Sequence, residues 1–357
     1  MRTGVAYLPL HSGRAPAWLF QRMKLLAREI VFILIDAYGA EEMLHRLSDP
    51  FWFQAFGCVL GFDWHSSGVT TTVCGALKEG LKGRERELGF YVAGGKGRTS
   101  RKTPEEIETI CQQTSVDGAS LIYASRMSAK VDSAAVQDGY QIYHHSFFFT
   151  KQGKWAVVQQ GMNEDCRFAR RYHWLSRGVK DFVCEPHWAV CCDRRKEGLN
   201  LVAEESAPCR QAITEISNEK PEFVLREGER VNRLYLPSSH SVPQETIRLE
   251  RLEKIFLRIY EQAPARFEDI LAVPGVGPKT LRSLSLISEL IHGVKPSLRD
   301  PTRFSFAHGG KDGHPYPVDG KTYDQTIRIL GNAIERAKIG DREKMDALRR
   351  LKEFGVA

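Results

Sequence analysis

The stretch HHSFFFTKQGKWAVVQQ, from His144 to Gln160, marks the point at which the residue pattern of the chain changes. It contains two runs rich in aromatic and β-branched residues, with the residues TKQGK between them. Such runs favour strands, and a glycine in a short connection favours a tight turn. The stretch therefore predicts a β-hairpin with Gly153 in its turn.

Helical periodicity dominates on both sides of this hairpin. Apolar residues recur at steps of three and four from Trp18 to Leu47 and again from residue 245 to residue 337, as one buried helix face requires. Residues 198–242 are polar and mixed in pattern, and we expect a long connection with short strands there. The sequence thus predicts a mainly α protein of the α+β class, with an inserted β-hairpin region in its middle.

Composition indicates a soluble protein with a polyanionic partner. The chain has 357 residues and a formal charge of +7, and clustered lysine and arginine gain affinity for phosphates through counterion release. Its longest apolar run, Ile30 to Ile35, is too short to cross a bilayer, so we expect no membrane contact. Because the N-terminus lacks the pattern of a secretory signal, we expect a cytoplasmic protein. Its eight cysteines are dispersed without any C-x-x-C spacing, which predicts reduced thiols.

A second informative stretch, ILAVPGVGPKT, runs from Ile270 to Thr280. Gly275 and Gly277 permit a tight turn and leave no side chain between the backbone and an approaching phosphate. Amide groups at the start of the following helix suit an anion, and the helix dipole adds to the attraction. The pattern predicts a helical hairpin that contacts a phosphate backbone through Gly275, Val276, Gly277, Lys279 and Thr280.

The residues VPGVG, from Val273 to Gly277, resemble the helix-hairpin-helix DNA-binding motif. This resemblance implies that DNA is the partner and that residues 243–357 form a helix-hairpin-helix DNA-binding region. The remaining chain then divides into an N-terminal helical region, residues 1–139, and a β-containing middle region with its connection, residues 140–242.

The stretch PGVGPKT also resembles the helix-hairpin-helix DNA glycosylases. In bifunctional members a lysine after the second glycine attacks the sugar C1′, and an aspartate farther on assists. The resemblance implies that Lys279 is the nucleophile, an amine that must be deprotonated to react. Two aspartates compete for the second role. Asp300 has the usual spacing, but we prefer Asp319, because it follows an apolar residue and opens a helix as the family's aspartate does. We expect no iron-sulfur cluster, because the chain has no cysteine after Cys209.

Other residues are candidates for DNA contacts. The loop GGKGRTSRKT carries Lys96, Arg98, Arg101 and Lys102, and CRFARRYHWL carries Arg170 and Arg171 beside aromatic residues. Cations next to stacking surfaces suit single strands or flipped bases. The helix, polar loop and helix arrangement of FQAFGCVLGFDWHSSGVTTTVCGAL resembles the start of the glycosylase fold, which places Trp64 and His65 near a base or a strand.

A metal site is an alternative. Asp132, Asp138, His144 and His145 lie in one short span, and their oxygen and imidazole groups suit Mg²⁺ or Mn²⁺ that activates water for phosphodiester cleavage. A structural polar network explains the same residues without a cofactor.

Across nearly its whole length the chain resembles an uncharacterised prokaryotic family, domain of unknown function 763. The stretches that carry the resemblance include LPLHSGRAPAWLFQRM, VDSAAVQDGYQIYHHSF and HGGKDGHPYPVD. It implies a shared fold but no activity. We therefore expect a DNA-binding protein that processes damaged or unusual DNA, foremost as a glycosylase with lyase activity. A metal-dependent structure-specific nuclease and a non-catalytic binding module are the alternatives.

Overall fold

The computed structural model describes residues 15–62, 67–192, 195, 197–233, 249–302 and 320–356. It has an α+β fold, 61% helical and 14% strand, which confirms the predicted class. The α-helices are α1 Ala17–Tyr38, α2 Ala40–Ser48, α3 Pro50–Leu60, α4 Gly68–Leu81, α5 Glu85–Leu88, α6 Arg98–Arg101, α7 Thr103–Gln112, α8 Gly118–Lys130, α9 Ala207–Ser217, α10 Pro221–Arg233, α11 Leu249–Gln262, α12 Phe267–Ala272, α13 Pro278–His292, α14 Gly320–Arg336 and α15 Asp341–Val356. The strands are β1 Phe90–Lys96, β2 Val136–Gln137, β3 Gln141–Thr150, β4 Trp155–Asn163, β5 Phe168–Leu175, β6 Ala189–Cys191 and β7 Leu199–Asn200.

The predicted hairpin is present as the antiparallel pair β3 and β4, with Gly153 in the turn at a φ of 77°. It is not an isolated insertion, however. It lies at the centre of a five-stranded antiparallel sheet in the order β1-β3-β4-β5-β6. Sequence analysis missed β5, because two adjacent arginines, Arg170 and Arg171, interrupt the apolar pattern that marks a buried strand.

Both faces of this sheet are covered by helices. Phe148 packs in a cluster with residues of α1 to α4, α14 and α15, whereas Phe147 and Phe149 pack in a second cluster with residues of α7 to α13. Successive side chains of a strand point to opposite faces, so the three phenylalanines fill two cores. Each core draws side chains from all three predicted regions of the chain, and the boundaries of those regions stay a prediction.

The connection expected at residues 198–242 is in part helical, which corrects the prediction. In α9 the buried side chains Cys209, Ala212, Ile213 and Ile216 recur at steps of three and four. This stripe is the usual mark of a half-buried helix. It is short, and charged or polar residues flank it, so the mixed composition of the segment concealed it.

A substitution at Gly94 in β1 can test how closely β1 and β3 approach each other. Its φ is 89°, and a Cβ built there would lie 2.2 Å from the carbonyl oxygen of His145 and 2.6 Å from Thr103 Oγ1. We expect Gly94→Ala to lower the free energy of unfolding by about 2 kcal/mol or more, because backbone strain and a backbone clash add together. Urea denaturation measures the change.

The matched control is Gly153→Ala, since Gly153 has a similar φ of 77° and no atom within 4 Å of the added Cβ. This variant carries the strain without the clash and should lose about 1 kcal/mol. Equal losses in the two variants would contradict the close approach of β1 and β3 at Gly94.

Candidate functional site

The stretch from Val273 to Thr280 is here called the hairpin turn. It contains the connection between α12 and α13 and the first residues of α13. Gly275 has a φ of 95°, a conformation that favours glycine, and Gly277 directly precedes α13. Gly275 and Lys279 are exposed. Val276 and Thr280 are 2% exposed, so their side chains fix the turn in the core and do not face a ligand.

Two side chains from another part of the chain hold the hairpin turn. Lys130 Nζ donates a hydrogen bond to the carbonyl oxygen of Val276. Gln137 Nε2 donates to the carbonyl oxygen of Pro278 at 2.9 Å, and Gln137 Oε1 accepts from Arg282 Nε at 3.1 Å. Lys130 is half-buried, and this burial lowers the pKa of its ammonium below the ordinary value.

Sequence reasoning did not assign Lys130 and Gln137 to the DNA-contact set. Their partners in the hairpin turn lie 146 and 141 residues farther along the chain. Local residue spacing does not predict contacts between residues so far apart in sequence, so only the tertiary structure reveals them.

The four cations of GGKGRTSRKT form a second surface, here called the cationic loop, residues Lys96 to Lys102. Lys96, Arg98, Arg101 and Lys102 are all exposed around α6. Lys96 Nζ lies 5.7 Å from the ring centre of Tyr143. Salt bridges within the described residues do not involve any of the four, so their charges face solvent without an acidic partner.

Arg170 and Arg171 correct the sequence prediction, because both are fully buried and present no surface to DNA. Arg170 lies between two carboxylates, with Nη1 at 2.8 Å from Asp138 Oδ2 and Nη2 at 2.7 Å from Asp300 Oδ2. Arg171 donates to Gln54 Oε1 at 3.2 Å and to His173 Nε2 at 2.9 Å on the other face of the sheet. A buried charge requires such partners, and these arginines are structural.

The predicted catalytic residues are not brought together in the described part of the chain. Lys279 is exposed in the first turn of α13, so burial does not desolvate its amine. Asp300 is bound to Arg170, and its Oδ1 accepts from the backbone N–H of Thr302 at 2.8 Å. Asp319, Trp64 and His65 lie outside the described residues, and their roles stay predictions.

The alternative metal set is divided among separate hydrogen-bond partners. Asp132 accepts from Trp174 Nε1 at 2.9 Å and also contacts His187 and Gln159. Asp138 accepts from Tyr172 Oη at 2.7 Å in addition to Arg170. Among the described residues, no group of three or more histidine, cysteine or acidic side chains could hold a metal ion. The structure therefore gives these residues the role of a buried polar network.

His144 and His145 are both buried, one on each face of β3, and Gln159 connects His145 to Asp132. His145 lies between Ser125 Oγ at 3.0 Å and Gln159 Oε1 at 2.8 Å, and His144 Nε2 lies 3.1 Å from Ser146 Oγ. Burial lowers the pKa of His144 to about 3 and that of His145 to about 4. Both imidazoles are neutral at pH 7.

Comparison with known protein families shows to which family the chain belongs. A model of a protein family of unknown function, DUF763, matches residues 4–318. The chain belongs to this family. No curated protein and no solved structure matches it. Helices that could cross a membrane are absent from the described residues, since none combines the required length and hydropathy.

The buried histidines predict that acid destabilises the protein. Their folded-state pKa values lie below the ordinary value of 6.5, so the unfolded chain takes up protons first. The stability that these neutral imidazoles contribute is fully present above about pH 6.5. It decreases by about 1.4 kcal/mol per pH unit for each histidine as the pH falls, down to about 3 for His144 and about 4 for His145. Urea denaturation at pH 7, 6 and 5 measures the loss. His145→Gln should show a shallower decrease, and equal stability at pH 7 and pH 5 would contradict neutral burial.

Proposed function

We propose that the protein binds DNA through its phosphate backbone, with the hairpin turn as one contact and the cationic loop as another. The family assigns no activity, so the proposal depends on the geometry of these two surfaces. Contacts of this kind position a duplex without reading its sequence.

The orientation of two peptide groups carries the proposal. Lys130 and Gln137 hold the carbonyl oxygens of Val276 and Pro278. In a trans peptide the carbonyl and the following N–H point in opposite directions. The N–H groups of Gly277 and Lys279 therefore point away from Lys130 and Gln137, toward the side on which an anion would approach.

The surroundings of these N–H groups suit a phosphate. They lie at the start of α13, a helix of 15 residues, where the dipole attracts anions. Gly275 adds no side chain to the exposed turn, and the exposed Lys279 carries a positive charge. A phosphate oxygen could reach the backbone there and also be neutralised by lysine.

The cationic loop would supply a second set of phosphate contacts. Exposed cations release counterions when they meet phosphates, which gives affinity that decreases with salt. The loop and the hairpin turn belong to different elements, so they would contact different phosphates of one DNA molecule.

The test is a titration of fluorescent duplex DNA with the full chain at several salt concentrations. Lys279→Ala should weaken binding and reduce the slope of log K against log salt by about 0.9, the value for one phosphate contact. The double variant Arg98→Ala with Arg101→Ala should reduce it by about 1.8 for the same reason.

Lys338→Ala is the matched control, because Lys338 is an exposed lysine between α14 and α15, helices on the opposite face of the sheet. It should leave the slope unchanged. If the unmodified protein shows no salt-dependent affinity, or all variants keep its slope, the proposed function is wrong.

A glycosylase with lyase activity is the second candidate. Its basis is the resemblance of PGVGPKT to the helix-hairpin-helix DNA glycosylases, with Lys279 at the position of their lysine. The Lys279 amine would attack C1′ of the sugar as the bond from C1′ to the base breaks, and the protonated base would leave. Opening of the sugar ring by cleavage of the C1′–O4′ bond would then give a Schiff base that borohydride reduces. Because Asp300 is bound to Arg170, Asp319 is the assisting residue in this proposal.

Borohydride trapping on duplexes with an abasic site or a damaged base distinguishes this candidate. A covalent adduct that is lost in Lys279→Ala, with folding verified by circular dichroism, supports the lyase. DNA binding without an adduct supports the non-catalytic binding module, and cleavage that EDTA abolishes would restore the nuclease alternative.

A further inference from the structure

Lys130 occupies a special position behind the hairpin turn. It is the last residue of α8, and its Nζ donates to the carbonyl oxygen of Val276. The N–H of the same peptide group belongs to Gly277. We propose that Lys130 is a positioning residue for DNA binding: its ammonium holds and polarises the Val276–Gly277 peptide so that the N–H of Gly277 faces a phosphate. This inference depends on the proposed function.

The charge of Lys130 is the first argument. The side chain is half-buried, and burial lowers its pKa because the charged form loses hydration. Salt bridges among the described residues do not include Lys130. A partly desolvated ammonium without a carboxylate is unfavourable for folding. A phosphate bound on the other side of the peptide would compensate this charge.

Polarisation of the peptide is the second argument. A cation on a carbonyl oxygen draws electron density from the peptide and strengthens its N–H as a donor, because hydrogen bonds in a chain reinforce one another. Gln137 holds the next carbonyl, that of Pro278, with a neutral amide. A neutral donor would be enough to hold the Val276 carbonyl in its orientation. The ammonium of Lys130 therefore adds an electrostatic contribution to that of the hydrogen bond.

The rigidity of the segment around Lys130 is the third argument. A π-helix, Val131–Ala135, follows α8 directly and includes Asp132, which is bound to Trp174 and His187. Six residues later, Asp138 is held by Arg170. The backbone on the C-terminal side of Lys130 is thus fixed to the sheet, which places its ammonium within a narrow range of positions.

The experiment compares Lys130→Met, Lys130→Arg and Lys279→Ala in the duplex titration, with thermal unfolding of each variant. Methionine keeps the apolar stem and removes the charge. We expect Lys130→Met to bind DNA about tenfold more weakly, the size of one lost charge-assisted interaction. Lys130→Arg should bind within about threefold of the unmodified protein, because it restores a cationic donor.

Measurements of the Tm distinguish a positioning role of Lys130 from a purely structural role. The half-buried ammonium of Lys130 has no carboxylate partner among the described residues, which opposes folding. Lys130→Met should therefore keep or raise the Tm while its affinity for DNA falls. If Lys130→Met lowers both the Tm and the affinity for DNA, Lys130 has a purely structural role and the inference is wrong. Lys338→Met, which removes an exposed positive charge elsewhere, should leave both quantities unchanged.

The two proposals fail in different ways. If the unmodified protein binds DNA and Lys279→Ala weakens binding, but Lys130→Met binds like the unmodified protein, only the role of Lys130 is wrong. If the unmodified protein has no salt-dependent affinity for the duplex, the proposed function itself fails, and the inference fails with it.

Discussion

Burial of the central sheet on both faces is the constraint from which the rest of the structure follows. Helices cover each side, yet β3, β4 and β5 carry polar residues at one end on both faces, among them His144, His145, Gln159 and Arg170. A buried polar group without a partner costs about 1–3 kcal/mol, so these side chains have to bind one another or the surrounding backbone. The resulting network reaches into α3, α4, α8 and the segment that precedes the C-terminal helices.

This network explains why residues with catalytic or ligating chemistry have structural roles here. Arg170 binds Asp138, which lies 32 residues before it, and Asp300, which lies 130 residues after it, and this fixes the segment after α13 to the sheet. Removing one partner of such a buried group leaves a charge uncompensated, and that cost commonly reaches 3–5 kcal/mol. The acidic groups of the same span are paired or hydrogen-bonded inside the protein, and each of its two histidines has a hydrogen-bond partner.

The segment from Lys130 to Asp138 joins the network to the exposed surface. Asp132 and Asp138 attach it to the sheet, while Lys130 and Gln137 attach the hairpin turn to it. The rigid core thereby determines the direction in which the peptide groups of the turn point. A backbone site for phosphate needs such support, because exposed loops that lack it adopt many conformations and bind with an entropic cost.

The sequence by itself determined the fold class and the elements with strong local patterns. The β3 and β4 hairpin follows from two aromatic and β-branched runs around Gly153, and the helices on each side of PGVG follow from periodicity. These features depend on near neighbours, so a single sequence contains them. Whether PGVG contacts DNA and whether Lys279 reacts are hypotheses that local pattern alone also generated.

Only the tertiary structure decided which polar residues are buried and what they touch. Arg170 and Arg101 are both arginines in basic stretches, yet one is fully buried between two carboxylates and the other is exposed. The side chain of Lys130 donates its hydrogen bond to a carbonyl oxygen 146 residues away. Burial and long-range pairing arise from the packing of the whole chain, because the stability of a buried charge depends on groups that are distant in sequence and adjacent in space.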